Sequence, residues 1–472
     1  MKFVSSSYVI KFIIAIFLFF QSVGRASNSL NNELQAIATK YKNVSIGVDV
    51  IELQGGKRVS SLNENQPLNP ASVAKIVTAI SALDFLRPEY TFKTRFFTNG
   101  VRKGKELHGD LFVKAGGDPV FVTEYMYLLA DELAREGFST VEGNIVFDLS
   151  FFIMGPDENV SDFQDNQAYN ALVSPLVFNF NTTTIYVKPG SDIGAALNVI
   201  VDPENAYIKI NNSGITSKNN YSLSISKGKN DTRFETYQIS GEMPYTSKER
   251  RFYKNIENPG FYFAQVLKDF LLQKGILVKG TLVNGTVPEN VKLLSVKESR
   301  ALGYIIKDLF TFSNNVLAEN IVRTMGHEFK KDENSENAGL SVIKKYMSSK
   351  AGVDLNNVVL HKASGLSRKN RICASDINKV ILAGKKDFTI YPEFLNALCV
   401  SGTTGTLKEV FKGVLKEKIR AKTGSLNGVA SLSGIYNGKE KEYIFTILVN
   451  SNALLDLRGI VREIMEKIGE KL

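Results

Sequence analysis

From Ser72 to Leu86 the chain reads SVAKIVTAISALDFL, with apolar residues on nearly every face of the helix this pattern predicts. Such a helix has no polar side to turn toward water, so it must run through the middle of a domain with other layers packed around it. Asn69 suits the N-cap and Pro70 the first helical position, which fixes where the helix starts. Ser72 then falls in the first turn, where unpaired backbone N–H groups and the positive end of the helix dipole favour developing negative charge. Lys75 follows three residues later on the same face, among Val73, Ala74, Ile76 and Val77. The bland alternative, a solvated lysine, fits poorly with those neighbours.

A serine hydroxyl is a poor nucleophile until a base removes its proton. Lys75 can be that base if burial or a second cation lowers its pKa. The S-x-x-K spacing alone is weak, because Ser224–Lys227, Ser226–Lys229 and Ser341–Lys344 share it. Two further motifs give it weight. Ser313-Asn-Asn315 lies between two predicted helices, at Ala301–Leu309 and Asn315–Met325. Ser313 can relay a proton, and Asn315 can orient Lys75 and hold a substrate backbone; helix capping by Ser313 is the alternative. Lys422-Thr-Gly424 occurs once, at the end of a predicted strand. Lys422 offers a fixed positive charge, Thr423 and Ser425 offer hydroxyls for a terminal carboxylate, and Gly424 lets a substrate backbone approach closely. The backbone N–H groups of Ser72 and Ser425 are the expected oxyanion donors.

The remaining pattern places these motifs. Val44–Leu53 alternates like a strand. From about 93 to 303 the chain changes character, with short strand-like pieces broken by glycines and, between 152 and 261, an excess of Asn, Ser and Thr that suggests an all-β insertion. Amphipathic helices are predicted at Phe121–Glu136 and Phe261–Lys274. Ile419–Lys422, Val429–Tyr436 and Tyr443–Val449 read as three antiparallel strands, followed by a helix from about Ala453 to Ile468. Its apolar stripe, Leu454, Leu457, Ile460, Val461, Ile464 and Ile468, is read as packing on those strands. The alternative is a peripheral membrane helix, so at most peripheral membrane contact is expected.

Residues 1–26 read as an export leader: Lys2 and Lys11, the apolar run Phe12–Phe20, and small residues at Gly24 and Ala26. The net charge of +10 falls to about +7 without Lys2, Lys11 and Arg25. That excess can attract acidic polymers, but solubility is the preferred reading and no nucleic-acid partner is expected. Cys373 and Cys399 are the only cysteines; a pair and two free thiols are both open. With no C-x-x-C and no Cys/His cluster, neither a metal nor a cofactor is expected.

The three motifs in this order resemble the penicillin-recognising serine enzymes, the D-Ala-D-Ala peptidases and serine β-lactamases. Ser313 follows Ser72 by 241 residues (313 − 72), room for a large insertion. That spacing is similar to the class C low-molecular-mass penicillin-binding proteins of peptidase family S13, D-alanyl-D-alanine carboxypeptidases and endopeptidases of the penicillin-binding protein 4 type. Asn69–Lys75, Gly116-Gly-Asp-Pro119, Phe147-Asp-Leu-Ser150, Ser364-Gly-Leu-Ser-Arg368, Gly402–Leu407 and Lys422–Leu426 agree with it.

The resemblance implies an α/β (α+β) transpeptidase-like domain, an antiparallel sheet flanked by helices, carrying two nested inserted domains. The expected division is 27–92 with 304–472 for the catalytic domain, 93–151 with 262–303 for the first insert, and 152–261 for the second, mainly β. It further implies peptidoglycan stem peptides as substrate, β-lactams as covalent inhibitors and a periplasmic or otherwise exported location. It also implies side-chain contacts to a diaminopimelate residue from Asp148 and Arg368. A structural ion pair or turn is the alternative for those two. Where relatives often have Gln after Lys-Thr-Gly-Ser-Leu, this chain has Asn427, one methylene shorter.

Rival readings are weaker. The three histidines, His108, His327 and His361, stand in no catalytic motif. A serine β-lactamase shares the acylation but must hydrolyse the penicilloyl ester quickly, and no glutamate-based deacylation motif is assignable after the first helix, so slow turnover is the preferred reading. A secreted wall-binding protein with a dead site would not need Ser72, Lys75, Ser313, Asn315 and Lys422 together.

Overall fold

The computed structural model describes residues 29–155, 167–229 and 231–472. The expected leader, 1–26, lies outside the described residues. The chain divides into two compact units: one of residues up to 88, 306–313 and 343–472, the other of 89–305 and 314–342. Residues 314–342 cluster with the second unit, whereas the expected catalytic domain, 27–92 with 304–472, includes them.

The first unit is built on a six-stranded sheet: β1 (Ser45–Glu52), β2 (Arg58–Leu62), β3 (Cys399–Val400), β4 (Ile419–Leu426), β5 (Val429–Asn437) and β6 (Glu442–Asn450). Their order is β2-β1-β6-β5-β4-β3 and every neighbouring pair is antiparallel. Pairing of β1 with β6, Ser45 opposite Asn450 and Glu52 opposite Tyr443, stitches the two ends of the chain into one sheet.

Side-chain alternation sorts the sheet into two faces. Tyr443, Phe445, Ile447 and Val449 of β6 share a buried cluster with Ile46, Val48 and Val50 of β1. Helix α1 (29–40) contributes Leu30, Leu34 and Ile37 to this cluster. The C-terminal helix, Leu457–Lys471, contributes Ile460, Val461, Ile464 and Ile468. Each such fully buried aliphatic side chain contributes about 1.5–3 kcal/mol. The C-terminal stripe is therefore packing, as expected. The helix starts later than predicted because the Asp456 side chain accepts the Gly459 N–H at 3.0 Å and caps it. Leu454 is left outside and fully exposed.

The other face carries α2 (Ala74–Leu86) and α3 (Ala374–Lys385), so that the C-terminal helix is α4. Every residue of α2 from Ala74 to Leu83 is buried, as its all-round apolar sequence requires. On this face a chain of buried polar groups crosses the sheet. The Asn378 side-chain N–H donates to the Asp49 carboxylate at 2.9 Å, the Thr446 hydroxyl donates to Asn378 Oδ1 at 2.7 Å, and Ser433 lies 2.7 Å from Thr446. Each hydroxyl or amide finds a partner, as burial demands. Cys373 and Cys399 are both free and buried.

The second unit centres on a five-stranded mixed sheet in the order 282–284, 145–148, 111–114, 93–98, 292–298. Helices Thr123–Arg135 and Pro259–Gln273 pack together, within two residues of where their periodicity placed them. Between residues 182 and 255 the described elements are strands, in three small sheets. One apolar cluster joins the five-stranded sheet to them, running from Phe96 and Phe147 through Ile185 and Tyr237 to Phe263. Helix Asn315–Phe329 belongs to this unit and is fixed by a fully buried Arg323, which bonds Glu319 at 3.0 Å and Glu336 at 2.8 Å. Among the described residues no helix is long and apolar enough to cross a membrane.

Candidate active site

The turn carrying Ser72 is made by side chains bonding to backbone, not by a regular α-helical start. Residues Ala71–Val73 form a 3-10 turn and the α-helix begins only at Ala74. Asn69 causes this. Its Oδ1 accepts the Ala71 N–H at 2.8 Å, while its side-chain amide donates to the carbonyls of Ser367 and Arg368, each at 3.1 Å. Asn450, at the end of β6, brackets the Asn69 backbone at 2.8 and 3.0 Å. Ala71 is held at φ 44°, a left-handed conformation that costs energy and persists only where its surroundings enforce it.

Lys75 is fully buried, and its Nζ lies 3.0 Å from Ser72 Oγ. The same Nζ donates to the Ser364 carbonyl at 2.5 Å. Loop 363–368 thus runs along the start of the helix, and the Thr78 hydroxyl donates to the Ala363 carbonyl at 2.9 Å. Gly365 is there because nothing larger fits. It has φ +82°, and a Cβ on it would sit 1.9 Å from the Ala71 carbonyl oxygen and 3.0 Å from Ser72 N.

β4 delivers the third motif to the same place. A Cβ on Gly424 would meet the Pro70 carbonyl at 2.7 Å and Ser72 N at 3.0 Å, so the strand backbone passes directly against the serine turn. Ser431, opposite Gly424 on β5, donates to the Pro70 carbonyl at 2.6 Å and locks that approach. β3 pairs with β4 only at Arg420 and Ala421, so among the described strands the outer edge of β4 from Lys422 onward has no partner. An open strand edge beside a serine can accept an extended peptide as an added strand.

Lys422 is fully buried, and its Nζ donates to the Thr423 carbonyl at 2.6 Å. Burial pulls its ammonium pKa down from 10.5 to about 8, and neighbouring Cys399 pushes the other way. Between those two values the unfolded chain binds more protons, so this group makes stability rise with pH, and its cost is felt in full below about pH 8. A depression of that size is worth about 3 kcal/mol. Lys422→Met is therefore expected to gain up to about 3 kcal/mol in denaturant melts at pH 7, with the gain shrinking toward pH 10. Equal melts at both pH values would show that burial of this ammonium costs the fold nothing.

Thr423 is partly buried, and its hydroxyl donates to Thr406 at 2.8 Å. Ser425 is exposed, and its hydroxyl accepts from Arg458 of α4 at 3.0 Å. Arg458 was not expected from sequence; it lies 33 residues from Ser425 and adds a second cation beside the motif. Ser313 has φ +53°, and its hydroxyl makes no hydrogen bond among the described residues. The capping role open to it falls instead to Asn314, whose Oδ1 accepts the Leu317 N–H at 3.1 Å. A strained serine with an uncommitted hydroxyl fits chemistry better than capping.

Arg368 and Asn427 meet: the exposed guanidinium donates to the Asn427 carbonyl at 3.3 Å. In the second unit, Asn315 is the first residue of its helix and donates to the Tyr169 carbonyl at 2.8 Å. Asp148 is buried there. One of its carboxylate oxygens accepts the Ser150 N–H at 2.9 Å and the other the Val287 N–H at 3.0 Å, so each holds a turn as well as a negative charge.

Comparison with known proteins finds a family model, sequence relatives and a solved structure. A model of the D-Ala-D-Ala carboxypeptidase 3 (S13) family matches residues 30–468. A D-alanyl-D-alanine carboxypeptidase from an Actinomadura species is 28% identical over 430 residues, 86% of this chain and 78% of that one. The Haemophilus influenzae D-alanyl-D-alanine carboxypeptidase DacB is 24% identical over 424 residues, covering 88% and 87%. The crystal structure of penicillin binding protein 4 from H. influenzae superposes with a TM-score of 0.79 at 21% identity, covering 93% of this chain and 98% of that one, a likeness of fold.

Proposed function

The chain belongs to the D-Ala-D-Ala carboxypeptidase 3 (S13) family, and on that premise we propose that it is an exported serine peptidase that cleaves the D-Ala-D-Ala bond of peptidoglycan stem peptides through an acyl-enzyme on Ser72. The observation that carries the reading is Lys75 Nζ at 3.0 Å from Ser72 Oγ, in a site so tight that Gly365 and Gly424 both press on the serine backbone.

In this mechanism the Ser72 hydroxyl passes its proton to Lys75 as Oγ bonds to the penultimate D-Ala carbonyl carbon. The oxyanion forms against the N–H groups of Ser72 and Ser425; such a donor is worth roughly 3 kcal/mol of transition-state stabilisation. The C–N bond then breaks, and the leaving D-Ala amine takes a proton by way of Ser313. Water attacks the ester and restores Ser72. The peptide lies along the open edge of β4, with its terminal carboxylate held by Lys422, Thr423 and Ser425, while Gly424 leaves room for its backbone. Arg458, through Ser425, adds to the positive field. Arg368 with Asn427 is assigned to the side chain of the stem peptide's third residue. The catalytic role read for Asn315 and the substrate-binding role read for Asp148 belong to residues of the second unit. β-Lactams are expected to acylate Ser72 as substrate mimics.

Gly365→Ala tests how tightly the turn must be held. A methyl group 1.9 Å from the Ala71 carbonyl has to displace the serine turn, and a misplacement near 1 Å costs about 10²-fold in rate. A hundredfold slower acylation by a fluorescent penicillin is the expected result. The activity itself is tested by digesting purified muropeptides and weighing the products. Pentapeptides shortened by one D-Ala show carboxypeptidase action, and cross-linked dimers resolved to monomers show endopeptidase action as well. Absence of both products overturns the proposal.

A further inference from the structure

Thr423 and Ser425 stand two residues apart on β4, so their side chains leave the same face of the strand, and Lys422 leaves the other. Toward the start of the strand this face is covered: Ile419 and Ala421 pack in the cluster that takes in Leu457 and Ile460 of α4. Toward its end Ser425 is exposed, and Arg458, in the first turn of α4, reaches it with Nη2 donating to Ser425 Oγ at 3.0 Å. A hydroxyl carries one proton and two lone pairs. With a guanidinium on a lone pair, the Ser425 O–H turns away from the cation and is set as a donor. That proton has no acceptor among the described residues.

Arg458 does nothing for its own helix. A cation in the first turn faces the positive end of the helix dipole, and the start of α4 is already fixed by Asp456. Arg458 makes no ion pair among the described residues, and a guanidinium has five N–H donors in a fork that matches a carboxylate. Lys422 is a different kind of charge, fully buried on the opposite face with its Nζ on the Thr423 carbonyl. We infer that Arg458 is the residue that makes this site specific for a free terminal carboxylate, which it binds together with the Ser425 hydroxyl. The inference rests on the peptidase reading above and deepens it. With the scissile carbonyl at the Ser425 N–H, the carboxylate belongs to the next residue, whose Cα lies about 3.8 Å from the one before it. That brings the anion alongside the Ser425 side chain and the guanidinium behind it. A substrate whose carboxylate is masked leaves both donors without a partner.

The test compares the full mature protein with Arg458→Gln, Arg458→Lys and Arg458→Glu on two substrates. One is an acyl-D-alanyl thioester of thioglycolate, whose leaving group ends in a carboxylate where the terminal D-Ala has one. The other is its methyl ester, which keeps the reactive thioester and removes the charge. Wild type should prefer the acid. Arg458→Gln should lose about tenfold in kcat/KM on the acid, the size of one hydrogen bond to a charged group, and nothing on the ester. Arg458→Lys should keep most of the acid rate, and Arg458→Glu should turn the preference toward the ester. A role confined to fastening α4 to β4 would slow both substrates together. That result, or an undiminished acid rate in Arg458→Gln, overturns the inference. Failure of the peptidase reading looks different: a wild-type protein that turns over neither thioester and releases no D-Ala from a pentapeptide.

Discussion

Ser72→Ala is expected to melt like the wild type and to form no covalent adduct with any penicillin. The fold should tolerate it because, among the described residues, Ser72 Oγ is bonded only to Lys75, and the turn is held by Asn69, Gly365 and Ser431. The chemistry should not survive, because the hydroxyl 3.0 Å from the fully buried Lys75 amine is removed. Loss of the nucleophile in a serine hydrolase costs on the order of 10⁶ in turnover, leaving only what binding and oxyanion donors achieve. Intact mass after penicillin treatment, together with muropeptide digestion, reads both effects. Residual labelling above one part in a thousand would point to a different nucleophile.

Lys75→Met should give the second largest loss while separating the base from the nucleophile. Methionine follows the lysine chain out to Cε without its ammonium and suits a fully buried site, so the helix should form. The hydroxyl remains but nothing takes its proton, and removal of a positioned base costs about 10²–10⁴ in rate. Slow acylation should therefore persist in Lys75→Met and be absent in Ser72→Ala. The Ser364 carbonyl loses its donor, which costs roughly 1–3 kcal/mol and is offset by no longer burying an amine. A Met variant that acylates at the wild-type rate would remove Lys75 from the mechanism.

What could be read from sequence, and what could not, follows from range. α2 was legible because its apolar residues leave no face for water, and β6 because it is a short apolar run of β-branched and aromatic residues. The motif residues stood out because few side chains can act as nucleophile, base or anion clamp. The supports did not stand out, since their partners are far away in the chain. Asn69 reads as a helix cap, yet it also binds Asn450, 381 residues on, and loop 367–368. The Ser364 carbonyl that holds Lys75 is a backbone atom, and no residue type announces it. Arg458 was hidden among the charges of a helix read for its apolar stripe. The 3-10 turn at 71–73 depends on the Asn69 side chain and on Gly365, which periodicity does not see. Helix 315–329 has the predicted pattern, but its ties to the rest of the second unit run through Asn320, which donates to the Ser174 carbonyl at 2.8 Å, and Asn315, which donates to the Tyr169 carbonyl at 2.8 Å, backbone partners that no residue type announces.

Peptide mapping of the wild-type protein after reaction with a β-lactam tests the central claim most directly. The account predicts a single penicilloyl group on the fragment containing Ser72, formed in step with the loss of D-Ala release from muropeptides. An adduct on any other residue, or full peptidase activity with Ser72 unmodified under saturating β-lactam, would contradict it.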